Sequence, residues 1–74
     1  MNIMLTHHTI RRFRQELGIN LREFGELVGV SEATASRWEA GKRHPTWRKM
    51  DRLNQIAKAR GIDLHKLSRQ LQAV

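Results

Sequence analysis

The chemistry this chain can offer is cationic. Lys42, Arg43, Arg48, Lys49, Arg52, Lys58 and Arg60 crowd residues 42–60 against the single acid Asp51, while Glu16, Glu23, Glu26, Glu32 and Glu39 sit upstream. Over the whole chain 14 Lys and Arg face 7 Asp and Glu, leaving +7 on 74 residues. A field that one-sided draws an anion, and Arg adds recognition to attraction, because its guanidinium can donate two bonds to guanine O6 and N7. Other chemistries lack their parts. There is no Cys, so thiolate metal sites, disulfides and cysteine nucleophiles are absent. His7 and His8 are adjacent and point about 100° apart on a helix, His44 and His65 are remote, and no carboxylate lies at ligand spacing. No metal and no cofactor is expected. Ser31, Ser36 and Ser68 have no base and orienting third group legible beside them, so no enzyme activity is expected either.

Size narrows the choice further. A chain of 74 residues makes one domain with a thin core, too small to wall off a large substrate cavity. With 39% hydrophobic residues it is rich enough to fold. Its longest apolar stretch, Gly included, runs only from Leu27 to Val30, and nothing at the N-terminus reads as a signal peptide. The expectation is a soluble, cytoplasmic protein. An anionic membrane surface would also attract the charge, but no segment pairs a broad apolar face and aromatic edge with a basic opposite face.

The residues that carry charge must be positioned by helices. Ile10, Phe13, Arg14 and Leu17 trace one helical face behind the N-cap Thr6 and before Gly18, which predicts a helix over about 7–17. Asn20 caps a second, over about 21–28, with Leu21, Phe24, Leu27 and Val28 in a stripe that Gly29 ends. Ser31 caps a third that ends at Gly41. Its Ala35, Trp38 and Glu39 share one side, and the small or basic Ala33, Ser36, Arg37 and Ala40 the other. Pro45-Thr46 restarts the chain for a fourth, carrying Trp47, Met50, Leu53, Ile56 and Ala57 and closed by Gly61. Asp63 caps a fifth with Leu64, Leu67 and Leu71. No stretch alternates with period two, so no strand is expected. Phe13, Phe24, Trp38 and Trp47 lie on apolar faces and are expected in the core.

Two short helices joined through Gly29-Val30-Ser31 describe a helix-turn-helix, whose second helix projects and fits a major groove about 12 Å wide. The stretch from Asn20 to Pro45, with Val30-Ser31, Ser36-Arg37-Trp38-Glu39 and Gly41-Lys42-Arg43 all in register, closely resembles the Cro/C1-type (XRE) helix-turn-helix family of transcriptional regulators. With its flanking helices the resemblance spans roughly residues 8–68. It implies an all-α, compact five-helix, lambda-repressor-like domain that binds double-stranded operator DNA, commonly as a homodimer, and regulates transcription.

The resemblance also assigns roles. Glu32, Ala33, Thr34, Ser36 and Arg37 match base-reading and groove-lining positions of the recognition helix. Arg37 would read guanine, or else hold a phosphate. Glu32 would accept from cytosine N4, or simply satisfy the helix dipole. Ala33 and the Thr34 methyl would pack on thymine methyls, or be small so that the helix comes close. Asn20, Arg22, Lys42, Arg43 and His44 match the phosphate-contacting positions; Arg48 and Lys49 are candidates without an assigned role. Arg14 and Glu39 match a structural ion pair joining the first and third helices. Two residues depart from the family pattern. Leu21 stands where Gln is frequent and removes a side-chain bond to phosphate, and Gly25 replaces a common Ala, implying either close packing against the third helix or a tolerated weakness.

A rival reading is an antitoxin-type module that binds a protein partner first and DNA second. Leu64, Leu67, Leu71 and Val74, with Met1, Ile3, Met4 and Leu5, would form that partner or dimer surface, or else close the core. RNA is a third option, weakened by the scarcity of aromatics for base stacking.

Overall fold

Each helix begins where a side chain takes over a backbone N–H that the helix itself cannot satisfy. A computed structural model describes the backbone of residues 5–72 and the side chains of residues 5–69. Among them five helices follow in chain order: α1 (His7–Leu17), α2 (Leu21–Val28), α3 (Glu32–Glu39), α4 (Trp47–Ala59) and α5 (Leu64–Gln72). No strand occurs among the described residues. Thr6, Asn20, Ser31 and Thr46 accept from the N–H three residues on, and Asp63 Oδ1 accepts from Lys66 N–H at 3.1 Å. Losing such a cap costs about 1 kcal/mol. At α2 the cap is reciprocal: Glu23 N–H donates to Asn20 Oδ1 at 2.8 Å and Asn20 N–H to Glu23 Oε1 at 3.0 Å.

The apolar stripes meet around two rings. Phe13 of α1 and Phe24 of α2 are both fully buried, edge to face, with centroids 6.2 Å apart. Ile10, Val28, Ala35, Trp38, Met50, Leu53, Ile56 and Ala57 pack around them, with Leu5, Leu64 and Leu67 in the same cluster. The helices α2 and α3 pack chiefly on each other, and α1 lies across both α3 and α5. Buried Thr9 joins its hydroxyl to those of Thr6 (3.0 Å) and Ser68 (3.2 Å), so the α1–α5 seam is satisfied as well as packed.

One open alternative is decided here and one expectation changes. Leu5, Leu64 and Leu67 are buried, so the described members of the two terminal apolar sets close the core and offer no partner surface. Met1, Ile3, Met4, Leu71 and Val74, which share that reading, lie outside the described side chains. Trp47 moves the other way. It sits on the apolar stripe of α4 but one turn beyond Met50, past the edge of the core, and is 74% exposed where sequence periodicity predicts burial.

Candidate nucleic-acid interface

The turn between α2 and α3 is folded tightly onto the end of α2. Gly25 C=O accepts from both Gly29 N–H and Val30 N–H at 2.8 Å, and Gly29 takes φ 88°, a left-handed conformation that only Gly adopts without strain. A Cβ on Gly25 would lie 2.6 Å from Val30 C=O. The Ser31 carbonyl, at the N-cap of α3, lies 3.3 Å away, so the close approach is to the backbone where the turn enters α3, and Ala at 25 would push that turn away.

Two cations from α4 finish the job. Lys49 Nζ donates to Gly29 C=O at 3.3 Å and to Val28 C=O at 3.5 Å, and Arg52 Nη2 donates to Leu27 C=O at 3.3 Å. These carbonyls end α2, carry the negative pole of its dipole and lack partners within the helix. Sequence alone groups Lys49 and Arg52 with the other cations of residues 42–60, because nothing local distinguishes a cation facing a carbonyl from one facing water.

The recognition-helix candidate α3 is divided cleanly between two sides. Ala35, Trp38 and Glu39 are buried. Ala33, Ser36, Arg37 and Ala40, at helical spacing along the opposite side, are all exposed, and Glu32 is exposed in the first turn. Thr34 is half-buried: its N–H donates to Ser31 Oγ at 3.1 Å and its Oγ1 accepts from Ser31 Oγ–H at 3.0 Å, which occupies the hydroxyl and leaves the methyl. The side chains of Glu32, Ser36 and Arg37 have no partner among the described residues.

A guanidinium holds the far end of this helix. Arg14 Nε donates to Glu39 Oε2 at 2.7 Å and Nη2 to Oε1 at 3.1 Å, a bidentate pair, while Nη1 donates to Ile19 C=O at 3.0 Å. One side chain of α1 thus binds α3 and the α1–α2 connection together. Arg11 adds a longer contact to Glu39 at 3.5 Å. The hydrogen bonds to Glu39 raise the Arg14 guanidinium above its already high ordinary pKa, against the opposing effect of burial. Glu39 needs that compensation, because an acid at a helix C-terminus faces the negative end of the dipole.

The residues matched to phosphate contacts are placed unequally. Lys42, Arg43 and His44 follow α3 in an exposed loop, and Arg48 is exposed in the first turn of α4; none of these side chains has a partner among the described residues. Arg22 already reaches Glu26 at 3.0 Å, with both side chains about two-thirds exposed. A pair of that kind is worth only about 0.3–0.5 kcal/mol, so a phosphate can compete for it. Asn20 has committed its Oδ1 to the capping box and retains only its amide nitrogen as a free donor.

Elsewhere the surface offers little chemistry. The His7 and His8 rings lie tilted by 39° with centroids 3.9 Å apart, and no group of His, Asp and Glu suited to a metal ion occurs among the described residues. Asp63 and His65 border one open depression beside α5, but Asp63 is spent as the cap of that helix. No described helix is long and apolar enough to cross a membrane.

No curated protein and no solved structure matches this chain in the corresponding comparisons. The family comparison does match: residues 10–67, from α1 into α5, fit the helix-turn-helix model, whose fold is lambda-repressor-like and whose members are DNA-binding regulators of transcription. The whole of α2, α3 and α4, most of α1, the start of α5, the tight turn after Gly29 and the outward side of α3 lie within that span, and the chain belongs to the Cro/C1-type helix-turn-helix family.

Proposed function

We propose that this regulator reads a specific duplex operator through α3, as one half of a two-fold dimer on a palindromic site, and that it acts as a repressor or autoregulator. One observation carries the reading: the side of α3 that carries Ala33, Ser36, Arg37 and Ala40 is small, cationic and open, while the other side is locked into the core. Eight residues make a rod about 12 Å long, with side chains short enough to let it enter a major groove of about that width. Arg37 is the base reader, donating to guanine. Ala33 and the Thr34 methyl meet thymine methyls, Ser36 lines the groove, and Glu32 accepts from cytosine or stays at the helix dipole. Lys42, Arg43, His44, Arg22 and the Asn20 amide fix the backbone register.

The test is selection of binding sites from random duplex DNA, followed by titration of variants. Half-sites about 10 base pairs apart are the expected product of a two-fold dimer. Arg37→Ala should relax selectivity at one or two positions, at a cost of roughly 1–3 kcal/mol on the selected site. Arg43→Ala should weaken selected and scrambled duplexes alike and reduce the salt slope by about one unit. Equal losses for both variants on both duplexes would refute the division of roles, and failure to enrich any sequence would refute the reading itself.

A further inference from the structure

We propose that Trp47 is a contact for the sugar–phosphate backbone of duplex DNA, placed beside the cations that follow α3; this rests on the groove-binding reading above and deepens it. Its side chain is 74% exposed, the large hydrophobic one left so among the described residues. A lone exposed apolar side chain is ordinary. Its surroundings are not: Lys42, Arg43 and His44 precede it and Arg48 follows it, all exposed and all without partners among the described residues. That charge suits a polyanion. It also disfavours a second copy of this chain, which would bring the same cations against themselves.

The local backbone fixes where the indole points from. Pro45 is buried, and Thr46 Oγ1 accepts from Lys49 N–H at 3.3 Å, so Trp47 opens α4 on a capped and anchored turn. Only two side-chain torsions remain to be ordered on binding. The ring supplies a flat apolar face for deoxyribose and one N–H donor for a phosphate oxygen, and both targets are independent of base sequence.

Tryptophan fluorescence tests this directly, because Trp38 is 3% exposed and serves as an internal reference. In the free protein acrylamide should quench Trp47 and spare Trp38. Saturation with a selected duplex of about 20 base pairs, two half-sites long, should shield Trp47. Trp47→Ala should leave urea stability unchanged and weaken selected and scrambled duplexes alike by about tenfold, with the salt slope retained because no cation is lost. The proposal is overturned if Trp47 stays as quenchable on bound protein as on free protein with affinity unaltered by the substitution. It is equally overturned if shielding grows with protein concentration in the absence of DNA, the signature of a second copy. Failure of every duplex to bind would overturn the groove reading as well, whereas binding that leaves Trp47 open overturns this contact alone.

Discussion

At the scale of the residue, Arg14 holds the position on which most else depends. Its guanidinium makes three hydrogen bonds, two to Glu39 and one to Ile19 C=O, and Glu39 is 5% exposed. Removing one partner leaves a carboxylate almost out of water with only the longer Arg11 contact. Arg14→Met should therefore destabilise the protein by roughly 3–5 kcal/mol in urea denaturation, whereas adding Glu39→Leu to it should recover much of the loss. Independent, additive losses in the double variant would argue that the two side chains do not act as a pair. The sign of the pH dependence follows from the raised guanidinium. A group whose pKa is higher in the folded chain contributes its stability fully below its unfolded value and loses it only as pH climbs through the folded one. For Arg14 that window is strongly alkaline, so its contribution stays constant across neutral and mildly alkaline pH.

At the scale of the element, the angle between α2 and α3 is set by a short stretch of backbone and two borrowed cations. Gly25→Ala ordinarily strengthens a helix by about 1 kcal/mol. Here the added methyl would meet Val30 C=O at 2.6 Å, and the atom in the way is backbone that cannot swing aside. The expected result is a loss of about 1–3 kcal/mol in thermal or urea unfolding; a gain would mean that the turn relaxes freely. Lys49 and Arg52 hold the same turn from α4 through the carbonyls of Leu27, Val28 and Gly29. Replacing both by Met keeps most of their apolar stems and removes the donors. The variant, checked as folded by circular dichroism, should lose affinity for a selected duplex more than for a scrambled one, with an unchanged salt slope. A slope reduced by about two units would instead place both side chains on phosphates.

For the whole molecule, the net charge overstates what nucleic acid can meet. Of the 14 cations, Arg14 is committed to Glu39, Lys49 and Arg52 to carbonyls, and Arg12 pairs with Glu16 at 3.0 Å. The cations grouped around α3 and its following loop are Arg22, Arg37, Lys42, Arg43 and Arg48. With Arg37 facing a base, the other four should give the dependence of log affinity on log salt a slope of roughly −4 per protomer. A slope beyond about −8 would mean that the distant cations of α4 and α5 also reach the backbone and that the interface extends well past α3.

Much of this was legible in the chain itself. Helix number, limits and caps follow from local rules: a 3.6-residue stripe, an N-cap hydroxyl or carboxamide, and a Gly in the left-handed region act over a few neighbours and need no partner element. The two sides of α3 were legible for the same reason, since spacing alone separates Ala35, Trp38 and Glu39 from Ala33, Ser36, Arg37 and Ala40. Periodicity fails at the ends of elements. Trp47 shares the stripe of Met50 and Leu53, yet whether a stripe's first residue finds a neighbouring helix depends on where the core stops. The same limit hid the duties of Lys49 and Arg52, and left Leu64 and Leu67 divided between core and surface. Sequence thus determined the helices, their faces and the sign of the field; only the tertiary arrangement decided which cations are spent on carbonyls and which stay free, because desolvation and hydrogen-bond geometry depend on residues distant in the chain.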